Sequence, residues 1–328
     1  MKLLRVALLA LAAAVAACAV IVAWLVFGDR SFPVAPTSFE VGSGVSVAEI
    51  ASALERAGVV RSGLLLRYYL RMSGIASHVN AAVYDFRAHE SVADVAAVLA
   101  AGGRPSVSWV TVPEGFTARQ IAHRLDAQGL SSAADFLDVV WHQSLLLDNT
   151  LTRGLEGYLY PDTYQFRHGA SAEFIATVMT EQFRQKLPRD WQSAAHRLGY
   201  TLPQIVTLAS IIEREARVDG ERRIMAGVYY NRLRRGMPLE VDATIEYALP
   251  KHKNVLHYRD LEIDSPYNTY THKGLPPTPI SNPGVRSISA ALHPAKTDYL
   301  YYVYAGNGRH HFSRTLEEQK AAEQRYLH

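Results

Sequence analysis

Cysteine is nearly missing from this chain: one in 328 residues, Cys18, and it sits inside an apolar run. Everything after it is therefore without disulfides or cysteine-ligated metals, and a chain of this length can bury enough surface to fold without such staples. Charge of one sign is scarce too. A formal net charge of +3, with no long Lys/Arg run and no zinc-finger spacing, gives no case for nucleic acid. There is no G-x-S-x-G for a serine hydrolase, and no P-loop or G-x-G-x-x-G for a nucleotide. His310 and His311 are adjacent, so on a strand they face opposite ways and make poor joint metal ligands. His293 lacks a zinc-type partner spacing. The sequence predicts no metal and no cofactor.

What is present begins with a long apolar run. Lys2 and Arg5 precede about 22 uncharged residues, Val6 to Phe27, and Asp29 and Arg30 end the run. That length matches the roughly 20 residues a helix needs to cross a bilayer. It exceeds the apolar core of a cleaved signal, roughly 7–15 residues. Positive charge ahead of the span predicts a cytoplasmic N-terminus. "VAAC" at 15–18 resembles a lipoprotein cleavage box, but "AVIVAWLVF" continues where a lipidated Cys would have a polar tether. The expectation is an uncleaved membrane anchor over residues 6–27, followed by a Pro- and Ser-containing linker, 30–40.

A pattern then recurs three times: "SVAEIASALERAG" from Ser46, "SVADVAAVLAAGG" from Ser91 and "TARQIAHRLDAQG" from Thr117. Each starts with a hydroxyl residue and has Glu49, Asp94 or Gln120 three later, a capping box or its shorter variant. Each has a branched apolar residue at +4 (Ile50, Val95, Ile121), Ala at +5 and Leu at +8, on one helix face. Each has Gly at +12 (Gly58, Gly103, Gly129), where a left-handed stop belongs. A candidate strand precedes each helix: "TSFEVGSG", "AAVYDFRAHE" and "SWVTVPEGF". Any amphipathic helix supplies the apolar spacing, but the joint match of cap, face and stop points to a repeated strand-plus-helix module. Further helices are predicted over "RSGLLLRYYLRMSG", "AADFLDVV", "SAEFIATVMTEQFRQKLP", "GERRIMAGVYYNRLRRGM" and "TLEEQKAAEQRYLH". "YLYYVYA" is a strand, and the segment from Pro238 is loop-rich.

The chemistry centres on "LASIIERE", where an apolar helix from Leu202 meets Glu213 and then Glu215. Glu213 lies at the edge of the buried face, among Ala209, Ser210, Ala216 and Arg217. Glu215 projects roughly 200° further round, beside Ile211 and Asp219. One reading is a surface pair of Glu213 with Arg217 at i,i+4. The other is a general acid, because a glutamate in a partly apolar cleft has its ionised form disfavoured; Ser210 would orient it. Asn231 stands on an apolar stripe with Ile224, Gly227 and Val228, and is either a core amide bonded to a loop carbonyl or a substrate contact. Downstream, Asp242, Thr244 and Tyr247, then Tyr267, Asn268, Thr269 and Tyr270, combine hydroxyl, amide and aromatic groups suited to sugar rings. Tyr-rich loops also pack the rims of many folds.

"GYLYPDTY", "LASIIEREARVDGERRIMAGVYYNRLRRGMPLEVDATIEYAL", "SPYNTYTHKGLPPTPISNPG" and "AALHPAKTDYLYYV" resemble, in order, the endolytic murein transglycosylase (YceG-like) family. The match is dense over Gly157 to Phe312. The resemblance implies an α+β fold with four parts: an N-terminal transmembrane helix (1–29), the linker, LysM-like modules (41–130) and a catalytic domain (131–328). It implies a single-pass protein of the bacterial inner membrane with its catalytic part in the periplasm. The activity implied is lytic cleavage of the MurNAc–GlcNAc bond in peptidoglycan strands, giving 1,6-anhydroMurNAc ends, with Glu213 as general acid then base. Ser210, Glu215, Asn231, Glu240, Asp242, Thr244, Tyr267, Asn268, Thr269 and Tyr160 fall in the matched motifs as candidate substrate contacts. Peptidoglycan synthases are the candidate protein partners. The chain departs from the family where Gln and Pro are expected, at Glu240 and Ala243. Rival readings are a hydrolytic muramidase and a non-catalytic wall-binding scaffold.

Overall fold

The structure, a computed structural model, describes every residue except 1, 29–36, 43, 89, 148, 251–252, 254–255 and 327–328, and no side chains of residues 2–7. Helix α1 (Lys2–Ala23) continues as a π-wound turn, Trp24–Gly28. Its stretch Leu8–Gly28 is 21 residues long and apolar enough to cross a membrane. The charges flanking the run and residues 30–36 of the expected linker lie outside the described residues. The last four residues of that expected linker, 37–40, belong to strand β1 (Thr37–Val41).

The rest forms a mixed α+β fold in two compact units, the first comprising residues 1–108 and 167–169. Here β1 (Thr37–Val41) pairs antiparallel with β2 (Ala82–Phe86), Val41 opposite Ala82. Helices α2 (Val47–Arg56), α3 (Gly63–Met72) and α4 (Val92–Ala101) supply the rest. Ser46 and Ser91 close full capping boxes with Glu49 and Asp94. Ile50, Ala51 and Leu54, with Val95, Ala96 and Leu99, join Leu66, Leu70, Tyr84 and Phe86 in one core. Helix α2 is followed by left-handed Gly58 (φ 72°), as the spacing predicts. Helix α4 stops one residue early, at Gly102 (φ 72°). Gly103 serves another purpose: a Cβ there would come 2.5 Å from the Val83 carbonyl, so only glycine lets the chain reach β2 for the Val83–Arg104 bridge.

The second unit, residues 109–166 and 170–328, has two apolar clusters. The third repeat belongs to the first of them. It comprises β3 (Val107–Thr111), of which 109–111 fall in this unit, paired with β6 (Thr163–Arg167), of which 163–166 do, and α5 (Ala118–Ala127), capped by Thr117 and Gln120. Val110, Ile121 and Leu125 pack with Phe136 of α6 (Ala133–His142) and with Ile175 and Met179 of α7 (Ala172–Lys186). A short hairpin, β4 (Leu146–Leu147) with β5 (Thr150–Leu151), lies between α6 and β6.

The second cluster surrounds α9 (Leu202–Glu215), in which every residue from Ile205 to Ile212 is buried. A helix apolar on all sides must be covered on all sides. The cover is α8 (Trp191–Leu198), α10 (Asp219–Arg234), α11 (Asp242–Ala248) and α12 (Val285–Leu292). Helix α11 lies in the segment the sequence presents as loop-rich. A hairpin of β7 (Tyr301–Gly306) and β8 (Arg309–Ser313) and helix α13 (Leu316–Tyr326) end the chain. Within β8, His310 bonds Glu221 while His311 faces Tyr326, so the two imidazoles diverge.

Gly157 holds the junction of the two clusters. Its φ is 91°, and a Cβ would overlap the Pro279 ring and come 3.2 Å from Val206 Cγ1. Gly157→Ala should therefore lower stability by about 2–4 kcal/mol, through backbone strain plus overpacking. A loss under 1 kcal/mol in chemical denaturation would show that this junction yields easily.

Candidate active site

Helix α9 ends just past Glu213 because Ala216 turns extended (φ −75°, ψ 116°). Arg217 is thereby carried off the helix, and its guanidinium lies 5.2 Å above the Tyr304 ring. The i,i+4 pair with Glu213 does not form. Three residues into the next helix, Arg222 takes that place: its Nη1 donates to Glu213 Oε1 at 2.9 Å. The other oxygen, Oε2, accepts the Gly284 backbone N–H at 2.9 Å, immediately ahead of α12. Both side chains are buried, 5 % exposed for Glu213 and 8 % for Arg222. The surroundings of Glu213 are thus directed donors, where the sequence suggested a partly apolar cleft.

The pair is the inner end of a charged chain. Arg222 Nε bonds Asp219 at 3.1 Å, and Nη1 also bonds the Ser287 hydroxyl. Asp219 bonds Arg286 at 2.6 Å, and Arg286 bonds Glu114 at 2.9 Å. Arg222 and Arg286 beside Asp219 hold its carboxyl below the usual carboxylate range. Asp219 and Arg286 are more than half exposed, so their links are worth little by themselves. The buried pair differs, since removing one partner strands an uncompensated charge.

Beneath it, Asn282 fixes the loop that carries Gly284. Its Oδ1 accepts from the N–H groups of Gly157 and Leu159, and its Nδ2 donates to the Phe116 carbonyl and to Glu156 Oε1, all at 2.9 Å. Its own carbonyl accepts the Gly115 N–H at 2.9 Å, setting that glycine beside Glu213 Cγ. Glu156 is fully buried, with its carboxyl at the first turn of α5, where it accepts the Ala118 N–H at 3.0 Å. Burial outweighs these hydrogen bonds and raises its pKa to about 7.

Glu215 faces away, toward Tyr302, whose hydroxyl lies 3.2 Å from Oε2 and 2.7 Å from the Tyr229 hydroxyl. Burial pushes its pKa to about 7, and the nearby Asp242 charge adds to the shift. Glu215 also receives the backbone N–H of Ala243, a donor that a proline at this position would remove.

Among the other candidates, Tyr160 is buried next to Glu213 and Glu114 and bonds the Val285 backbone. Ser210 does not touch Glu213: it donates to the Thr207 carbonyl and accepts the Ile280 N–H. Thr244 and Thr269 are buried and bonded to each other at 2.9 Å. Asn268 is buried and bonds the Leu261 and Ile263 carbonyls. Asn231 bonds the Thr297 and Tyr299 carbonyls, as its core-amide reading predicted. Glu240, at φ 54°, is paired with Arg232 at 2.8 Å, so its charge is met locally. Asp242 accepts from the Tyr270 hydroxyl, and Tyr267 bonds Thr278. Sequence reasoning missed Arg222, Asp219, Glu114, Arg286, Glu156 and Asn282. Arg222 and Asn282 lie inside the matched motifs, which was the available signal; no spacing rule connects them to Glu213 across a helix break.

The sequence matches the YceG-like family over residues 39–325. It is 35 % identical over 308 residues to the endolytic murein transglycosylase of Bacillus subtilis strain 168, covering 88 % of this chain and 84 % of that one. It is 30 % identical over 317 residues to the endolytic murein transglycosylase of Streptococcus pneumoniae, covering 84 % of this chain but only 57 % of the longer relative. The crystal structure of a yceG-like protein from Listeria monocytogenes aligns with a TM-score of 0.59 at 33 % identity, over 87 % of this chain and 98 % of that one.

Two outcomes follow from this geometry. Arg222→Leu should destabilise the protein by about 3–5 kcal/mol, and Arg222→Leu with Glu213→Leu by clearly less than the two single losses added together; losses that simply add in urea titrations would mean that the two residues are not coupled. Glu156 keeps its proton to higher pH folded, with a pKa of about 7, than at its unperturbed 4.5. The native state then binds more protons in that window, and stability falls as pH rises through it. Glu156→Gln should reduce that fall by on the order of 1–3 kcal/mol; an unchanged stability–pH slope would show the carboxyl ionised throughout.

Proposed function

The chain belongs to the YceG-like family, and from that premise we propose that it is a membrane-anchored lytic transglycosylase cutting peptidoglycan glycan strands with Glu213 as its single catalytic carboxyl. The observation that carries this reading is the buried Glu213 carboxylate held between Arg222 Nη1 and the Gly284 N–H. Its motif lies within the region shared with relatives named endolytic murein transglycosylase.

The Arg222 and Gly284 donors favour the ionised form, so Glu213 takes up a proton from solvent as substrate docks and then delivers it to the glycosidic oxygen leaving the muramic sugar. The carboxylate left behind is stabilised by the Arg222 guanidinium and the Gly284 N–H, donors already aimed at it before reaction. It then accepts the proton of the C6 hydroxyl on the same sugar. That oxygen attacks C1, closes the 1,6-anhydro ring and restores the acid. Glycosidases that use water employ two carboxyl groups. Here Asp219 and Glu114 are tied to Arg222 and Arg286, and Glu215 faces Tyr302, which favours the one-carboxyl route. Tyr160, beside Glu213, is a candidate sugar contact, and Asp242 and Tyr267 are further candidates.

The strand–helix repeats serve as LysM-like glycan-holding modules. The apolar helix anchors the enzyme in the inner membrane with its catalytic part in the periplasm, where wall synthases are its natural neighbours. Glu213→Gln keeps the shape while removing the transferable proton and should lower turnover on uncrosslinked strands by 10³-fold or more. Mass spectrometry of the products decides the class. Anhydro ends from wild type alone support the lytic route, reducing ends would make it a muramidase, and intact strands with folded protein would favour a scaffold.

A further inference from the structure

Away from Glu213, a cleft of about 680 Å³ lies between α8, α10 and the segment 292–298. That volume is in the range of specific small-ligand sites, roughly 300–1,000 Å³. Its uncharged lining includes Ala194, Leu198, Gly227 and Tyr230. Glycine at 227 is required, because a Cβ would come 2.6 Å from the Ala295 carbonyl. Its walls carry four permanent cations, Arg197, Arg223, Arg234 and Lys296, against one lining carboxylate, Asp298. A second acid, Asp190, reaches His293 at 3.3 Å and Arg197 at 4.0 Å. Arg223 donates to the His293 carbonyl and Arg234 to the Asn231 amide oxygen. Neutral acceptors thus hold both guanidinium groups in place with their charge uncancelled. A concave surface with an excess of one sign of charge concentrates the opposite sign, and guanidinium groups match carboxylates bidentately.

The cleft has a fixed relation to the reacting carboxyl. Gly284, which bonds Glu213, precedes α12, and Leu292 and His293 at the other end of that helix line the cleft. Eight helical residues span about 12 Å. An extended peptide of about four residues reaches roughly 13–14 Å.

We propose that this cleft is an anion subsite that takes the free carboxylates of the peptide stem on the glycan strand being cut. The inference rests on the transglycosylase reading for its ligand but on the cleft alone for its chemistry. The test uses the full chain in detergent micelles and a fluorescent four-residue stem peptide, with free or amidated carboxyl groups. Inorganic pyrophosphate, standing for the lipid-carrier diphosphate of a nascent strand, is the competitor. The free peptide should bind at least threefold more tightly than the amidated one. Arg197→Gln with Lys296→Gln should weaken it about fivefold, raise KM for stem-bearing strands by a similar factor, and leave kcat and the KM for stem-free glycan unchanged. Equal binding of the two peptides, an unaffected variant, or pyrophosphate binding more tightly than the peptide would each overturn the assignment. Peptide binding is read without turnover: a wild type that cut no glycan would sink the transglycosylase reading while the titration still decided the cleft.

Discussion

A carboxylate buried at the end of an apolar helix must find donors, and much of the second unit is arranged around meeting that need for Glu213. One donor is a charged side chain from α10 and the other a backbone N–H ahead of α12. Both helices pack on α9. The close approach of α9 to the loop before α12 uses small groups: Ser210 accepts the Ile280 N–H, and the Ser210 carbonyl accepts the Ser281 hydroxyl. The core and the site are therefore one construction. Apolar burial of Ile205 to Ile212 sets where α9 lies, and the donors fix its last turn.

The polar layer below works by saturation. Asn282 uses both lone pairs and both amide hydrogens, each on a different group, so its position admits little slack. Glu156 shares in that layer without touching Glu213, a buried polar network that is stable only while each member is satisfied. It ties α5 of the third repeat to the loop before α12. That connection gives a reason for the third repeat to pack with α6 and α7 rather than follow the first two.

Much of this was legible. The capping boxes, the buried positions at +4, +5 and +8, and the start of α9 at Leu202 all follow from local rules, and the structure has them. Misreadings have local causes as well. The +12 spacing that Gly103 shares with Gly58 and Gly129 marks it as a helix stop, yet its absent side chain is needed for a neighbour distant in sequence. The i,i+4 spacing pairs Arg217 with Glu213 only if the helix continues, and Ala216 ends it.

By itself the sequence determined an apolar helix long enough to span a bilayer, three capped helices with their buried faces, the family, and Glu213 as the candidate acid. These depend on spacings within a few residues or on motif identity, and both are written along the chain. Only the tertiary structure decided that Arg222 and Gly284 hold Glu213, that Glu215 turns to Tyr302, and that Asn282 and Glu156 brace the loop. Glu213 and Gly284 are 71 positions apart, Glu156 and Asn282 are 126 apart. Hydrogen bonds act over about 3 Å, and which distant groups come that close is set by how the helices pack, not by any period in the sequence.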